Sequence, residues 1–170
     1  NKVYKSSKNR TNYQCTYLND DVKHNRNSFK FKTYQKEIIE YCLTTVLNKN
    51  SNNRGIMLYH TLGLGKTCTS IGISDHLLLT GKYKSVIVLL PASLRVNFVK
   101  EFCGLCGSNI HLNKFNKKYN FYSYNSSNIL GKLPKNFNNQ IIIVDESHNI
   151  ISGRRNGSRI KHKIYDLIDK

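Results

Sequence analysis

The chain has 170 residues and a mass of 19.7 kDa, enough for one domain with a single core and too few for two ordinary ones. Its 39% hydrophobic and 22% charged content excludes a wholly disordered chain. The 27 Lys and Arg against 10 Asp and Glu give a formal +17, a field that favours polyanions such as nucleic acid, nucleotide or an anionic membrane surface. The longest apolar runs, Val86–Leu90 and Ile141–Val144, fall far short of the roughly 20 residues a bilayer helix needs, and no secretory signal is present, so an intracellular protein without a membrane role is expected.

The positive charge concentrates at the ends and in one internal stretch: +7 over residues 1–36, +5 over 112–136 and +4 over 151–170, against −2 over 137–150. Five cysteines, an odd number in a chain able to bury a core, point to reduced thiols. Residue 1 is Asn and the only methionine is Met57, so the chain is expected to be a piece of a longer protein.

Residues 1–27, rich in Asn, Lys, Ser and Tyr without sustained apolar periodicity, read as an extended or poorly ordered arm, with one globular lobe over 28–170. From Thr33 to Leu47 the positions Ile38, Ile39, Tyr41, Cys42, Leu43, Val46 and Leu47 predict an amphipathic helix. A strand is predicted at Gly55–His60, a helix at Lys66–Leu79 and a strand at Ser85–Leu90. A helix capped by Ser93 should run to Phe102. A strand at Asn120–Tyr124, a short helix near Ser127–Leu130 and a fully buried strand at Ile141–Val144 follow, then a loop at Ser152–Arg159 and a helix at Ile160–Ile168. Alternating strands and helices with continuous β-branched runs imply an α/β fold, a mostly parallel sheet with helices on both faces.

His60–Thr67 reads HTLGLGKT between a predicted strand and a predicted helix. Gly63 and Gly65 let the backbone around Leu64 turn tightly, so that N–H groups through Lys66, Thr67 and Cys68 converge on phosphate oxygens at the positive end of a helix. Lys66 would add a point charge to the β- and γ-phosphates and the Thr67 hydroxyl would ligate Mg²⁺. The general pattern places glycine where this chain has His60; a Gly-Lys-Thr turn with no ligand is the alternative. Downstream, Ile141–His148 reads IIIVDESH, an apolar strand ending in two carboxylates at the sheet edge where open α/β folds bind ligands. Asp145 would hold the metal and Glu146 would orient and deprotonate an attacking water.

HTLGLGKT with DESH resembles motifs I and II of superfamily 2 helicases and translocases, whose first motif tolerates a residue other than glycine at the position of His60. The resemblance extends to Phe31–Gln35, similar to the Tyr-Gln element before motif I, where Tyr34 and Gln35 would meet the adenine. It extends also to Leu90–Arg95, which looks like motif Ia, and to Ser123–Asn125, similar to motif Ib. In detail the chain is similar to helicase-like ATPases of large cytoplasmic DNA viruses, of the poxvirus nucleoside triphosphate phosphohydrolase and early transcription factor small subunit type. The resemblance implies a first RecA-like P-loop lobe that binds ATP and Mg²⁺, with DNA or RNA, a second RecA-like lobe and viral transcription machinery as partners, in the virion or host cytoplasm. It makes His148 a relay to the second lobe and places Pro91, Ser93, Arg95, Ser123, Tyr124 and Asn125 on the nucleic acid. Ser147 stands where DEAH has alanine.

The function implied is MgATP hydrolysis coupled to movement on nucleic acid, in viral transcription or genome processing. A lone lobe should hydrolyse ATP poorly, because a second lobe supplies an arginine finger. The alternative is a catalytically silent nucleic-acid-binding or scaffold subunit; a P-loop kinase would lack the Asp-Glu-Ser-His signature. Lys114–Tyr124 interleaves lysines with aromatics in a composition suited to phosphate contact and stacking, although a solvated basic loop leading into an edge strand explains it better. Cys103 and Cys106 have metal-ligand spacing without a second pair.

Overall fold

The computed structural model describes residues 29–48, 55–59, 63–107 and 115–168; the expected arm at 1–27, His60 and the start of the basic stretch lie outside them. At the centre is β1 (Ser85–Leu90), whose residues from Val86 on are all buried. It pairs in parallel with β2 (Tyr119–Ser123) on one side and β3 (Gln140–Val144) on the other, giving the order β2-β1-β3. A six-residue strand without a polar residue after its first position has no face to offer water, so both faces must be covered.

They are. Val86, Val88 and Leu90 face α2 (Lys66–Leu79) and α3 (Arg95–Glu101), packing with Cys68, Ile71, Leu78, Phe98, Val99 and Phe102. Ile87 and Leu89 point the other way, into a cluster with Tyr124, Ile129, Leu133, Ile150 and Ile164. α1 (Thr33–Leu47) lies on α2, where Ile39, Cys42, Ile73 and Leu77 form a third cluster. Its start is fixed by the Gln35 side chain, which accepts the Lys32 backbone N–H at 2.9 Å. A polar pin joins α2 to β2: the buried Tyr119 hydroxyl donates to Asp75 at 2.7 Å and lies 2.9 Å from Ser74 Oγ. Burial, with the charge of Asp75, pushes the Tyr119 phenol well above its ordinary pKa, so the donor stays protonated.

Several expectations need correction. Gly55–Tyr59 joins no ladder among the described residues; Ile56 and Leu58 pack toward α1 and α2 while Met57 and Tyr59 are exposed. Among the described residues β3 therefore has one paired neighbour, and it is half-buried rather than fully buried. Ser93 is not an α-helical cap: Ala92–Leu94 is a 3₁₀ turn with Pro91 at its N-cap position, and α3 starts at Arg95. α3 runs into a π turn at Phe102–Cys106, and α4 (Phe115–Lys118) precedes β2. α5 (Ile129–Lys132) begins two positions later than expected. The supposed loop at 152–159 is mostly helical, because α6 (His148–Arg155) runs to Arg155 and α7 (Arg159–Ile168) follows after a turn at Gly157. Ile150 and Ile164, both buried, hold this helix pair on the sheet.

The thiols are not all reduced: Cys68 and Cys106, 38 positions apart with Cα atoms 5.5 Å apart, form a disulfide. Cys106 is therefore not half of a Cys103–Cys106 metal pair. The aromatics of the basic stretch also turn inward. Phe115 and Tyr119 are buried with ring centroids 5.2 Å apart, and Phe102 lies 4.5 Å from Phe115, so they build core rather than a stacking platform.

Because Ile87 is fully buried in the middle of the central strand, Ile87→Ala should cost about 2–5 kcal/mol of unfolding free energy, read from urea denaturation.

Candidate nucleotide site

Parallel pairing brings the carboxyl ends of all three strands to one edge. Leu90 is level with Ser123, and Leu89 with Val144. Pro91, Tyr124 and Asp145 therefore emerge side by side. Asp145 extends the ladder by one step, donating its backbone N–H to the Leu89 carbonyl at 2.9 Å. Its side chain accepts the Glu146 N–H at 3.0 Å.

The glycine turn comes to the same edge. Gly63 and Gly65 have φ of +81° and +70°, and Gly65 caps α2 in the left-handed conformation. Thus Lys66, Thr67 and Cys68 occupy the first turn of a 14-residue helix, whose opening N–H groups have no helical acceptors. Two side chains of α1 brace the turn. The Tyr34 hydroxyl donates to the Leu64 carbonyl at 2.7 Å, and the buried Gln35 amide donates to Gly65 O at 3.2 Å and to Thr69 Oγ1 at 3.3 Å. With Lys32 on its oxygen, Gln35 uses both ends of its carboxamide inside the protein. A Cβ on Gly65 would lie 2.7 Å from the Gln35 nitrogen.

Electrostatics join the two motifs. Burial pushes the Asp145 carboxyl above the usual range and the neighbouring Glu146 charge adds to this. The Glu146 N–H and the Lys66 ammonium pull it back, so Lys66 lies within electrostatic reach of Asp145. The donor set suits a small hard cation: the Thr67 hydroxyl and the Asp145 carboxylate are both oxygen ligands, and a dication would offset the crowding of acidic charge. Glu146 has φ of +52°, a conformation rare outside glycine, in the turn between β3 and α6. Its carboxylate lies 3.2 Å from His148 Nδ1, and both side chains reach solvent.

Glu101 belongs to this neighbourhood and sequence reasoning missed it. Burial raises its carboxyl pKa, a hydrogen bond with Thr67 opposes this, and the Asp145 charge adds to it. The signal was its place three residues after Phe98, on the stripe that buries Phe98 and Phe102.

The residues expected on nucleic acid divide. Ser93 and Asn125 are exposed, with Pro91 and Ser123 partly so, at the same edge. Tyr124 is not available there: its side chain is buried, its hydroxyl donates to the Glu146 carbonyl at 3.4 Å and accepts from Asn149 at 3.3 Å. It steadies the acidic turn instead. The Arg95 guanidinium packs 4.9 Å from the centre of the Phe121 ring. Cys68 is buried with its sulfur spent in the disulfide, which leaves only its backbone N–H for a phosphate.

A family model described as "Type III restriction enzyme, res subunit" matches residues 28–168. The chain is 31% identical over 147 residues to an Acanthamoeba polyphaga mimivirus protein that carries the name of an ATP-dependent RNA helicase, R563, covering 70% of this chain and 25% of that protein. It is 30% identical over 130 residues to the early transcription factor 70 kDa subunit of vaccinia virus, covering 69% and 19%. With the termination factor NPH-I homolog of African swine fever virus it shares 28% identity over 126 residues, covering 68% and 17%. The chain thus spans a quarter or less of the length of these relatives. No helix among the described residues is long and apolar enough to cross a membrane.

Gly65→Ala should cost about 1–2 kcal/mol through its left-handed backbone. It should also displace the Gln35 brace, and so lower both the melting temperature and nucleotide affinity, measured by thermal denaturation with and without ATP.

Proposed function

This chain belongs to the type III restriction enzyme res subunit family, a helicase-like group, and on that premise we propose that it is the ATP-binding lobe of a nucleic-acid-dependent ATPase. The full protein would couple MgATP hydrolysis to movement along DNA or RNA. What chiefly supports this reading is a shared sheet edge: Cys68, in the first turn of α2 beside Lys66 and Thr67, belongs to the same core cluster as Leu90, and Asp145 is bonded to Leu89 next to it. A chain that had kept the fold only as a scaffold would not need the charge, the hydroxyl and the carboxylates at one sheet edge.

In this reading the backbone N–H groups from Gly63 to Cys68 hold the phosphates and Lys66 neutralises the β- and γ-oxygens. Thr67 and Asp145 would hold Mg²⁺, which when bound supplies charge neutralisation on the phosphate oxygens. Glu146 accepts a proton from the attacking water, and its left-handed backbone is the kind of strain that a site tolerates to aim a side chain. His148, 3.2 Å from the Glu146 carboxylate, orients it and faces solvent where a second lobe would close. Tyr34 and Gln35 hold the loop from behind, so adenine would meet α1 through its exposed side chains unless Gln35 exchanges its internal partners for the base.

Exposed Ser93 and Asn125, flanked by Pro91 and Ser123, offer hydroxyl, amide and backbone donors for a phosphate chain across the strand ends, where contacts fix position rather than sequence. The overall +17 supplies long-range attraction. The viral relatives named as an early transcription factor subunit and a termination factor homolog support a place in viral transcription or genome processing, inside the infected cell or the virion. The length of those relatives leaves room for the second lobe and its arginine finger, worth about 10³ to 10⁵ in rate in other P-loop enzymes.

In the full-length protein, Lys66→Ala should abolish ATP binding, whereas Glu146→Gln should keep binding and lower nucleic-acid-stimulated hydrolysis by about 10²- to 10⁴-fold. Equilibrium binding of a fluorescent ATP analogue and phosphate release check the pair. Full hydrolysis by Glu146→Gln would refute the assigned base, and full function of both variants would favour the scaffold.

A further inference from the structure

Downstream of the acid pair lies a helix pair that the nucleotide site does not use. α6 and α7 carry Arg154, Arg155, Arg159, Lys161 and Lys163 against a single acid, Asp166. The stretch SGRRNGSR has loop composition, yet its arginines stand at the end of α6 and the start of α7. Arg154, Arg155, Arg159 and Lys163 are exposed, and the Asp166 carboxylate lies 3.5 Å from His162 on its own helix. A solubilising face mixes the two signs of charge, whereas a surface of one sign repels itself and is relieved by a polyanion.

The two helices leave a cleft of about 390 Å³ between them, lined by Ile151, Arg154, Arg155, His162 and Tyr165. In its wall the Arg154 guanidinium sits 4.2 Å from the centre of the Tyr165 ring. A guanidinium held over a ring directs its N–H donors outward around its edge and loses less freedom when it takes a phosphate. The pair is also pinned to the strand ends. Lys161, whose stem runs against Gly153, donates to the Asn149 carbonyl at 3.0 Å, and its ammonium lies 5.8 Å from the centre of the Tyr124 ring, next in sequence to Asn125. α6 starts at His148 beside the acidic turn, and Arg154 and Arg155 close it roughly 10 Å further along its axis.

We propose that the cleft between α6 and α7 is a second contact for nucleic acid, in which Arg154 and Arg155 bind phosphates of a chain that crosses the sheet edge at Ser123 and Asn125. The inference rests on the nucleic-acid reading above and deepens it, adding a basic site outside the elements that resemble motifs Ia and Ib. Its occupant is the phosphodiester backbone rather than a base, so the site fixes position and leaves sequence unread. An acidic protein segment would also meet these charges; the hydroxyl and amide donors of Ser123 and Asn125 beside Tyr124 favour a phosphate chain.

The test uses full-length protein and fluorescently labelled single-stranded DNA and RNA of one sequence, with binding followed by anisotropy between about 50 and 200 mM salt. Arg154→Ala with Arg155→Ala should weaken binding and make the slope of log affinity against log salt shallower by about 1.5 to 2, the counterion release of two phosphates. Arg154→Lys with Arg155→Lys keeps both charges and should return most of that slope. Lys36→Ala with Lys82→Ala removes equal charge from exposed positions elsewhere and should leave the slope unchanged. An unchanged slope in the Arg-to-Ala pair, no recovery in the Arg-to-Lys pair, or an equal change in the Lys36 and Lys82 pair would each overturn the proposal. A wild-type protein that binds neither strand would overturn the nucleic-acid reading itself, and this inference with it.

Discussion

The hydrogen bond from the Asp145 backbone to the Leu89 carbonyl, 2.9 Å long, is the constraint on which the site depends. It carries the parallel pairing of β1 and β3 one residue beyond the last strand position, and so decides that the first acid after the apolar run stands at the sheet edge with its backbone fixed. A slip of β3 by one residue in that register would turn Asp145 to the other face and exchange Ile142 and Val144 with Ile141 and Ile143 across the two core layers. Both layers are full, so the slip is prevented by packing as well as by the ladder. The chemistry at the edge is a consequence of hydrophobic burial below it.

The glycine turn is held by a different physics. Its conformation is one that residues other than glycine adopt at a cost, and it leaves carbonyls turned away from the pocket. Tyr34 and Gln35 of α1 satisfy the Leu64 and Gly65 carbonyls, and the Lys32 N–H in turn holds Gln35. A helix 30 positions upstream therefore acts as a brace for the loop, while the Cys68–Cys106 disulfide fixes the other flank of α2 to the end of the π turn. On the acid side, Tyr124 and Asn149 hold the backbone of Glu146, whose left-handed φ needs that support. Each of the two motifs is thus steadied by residues outside it.

Much of this was legible in the sequence, and the reason is local. The ends of α1, α2 and β1 follow from apolar periodicity bounded by polar or glycine-containing breaks, and the α/β class follows from strand runs with no solvated face. What failed to show depends on partners distant in the chain. Gly55–Tyr59 has strand composition, but a strand needs a neighbour and it pairs with none among the described residues. Cys68 and Cys106 are 38 positions apart, and only the packing of α2 on the π turn brings them together. Tyr124 reads as an exposed polar aromatic at a strand end; Ile129, Leu133 and Ile164 bury it. Glu101 is hidden for the opposite reason, since a single acid at a helix end is ordinary until Thr67 and Asp145 are seen beside it.

The proposal stands or falls on whether Lys66 of the glycine turn and the Asp145–Glu146 pair, which come to the same strand edge, share one triphosphate. An experimental structure of the full-length protein with Mg²⁺ and a non-hydrolysable ATP analogue tests this most directly. The account predicts density for the triphosphate at the amino end of α2, with the γ-phosphate between the Lys66 ammonium and the two carboxylates. Nucleotide bound elsewhere, or bound at the loop with Asp145 and Glu146 turned away from it, would contradict it.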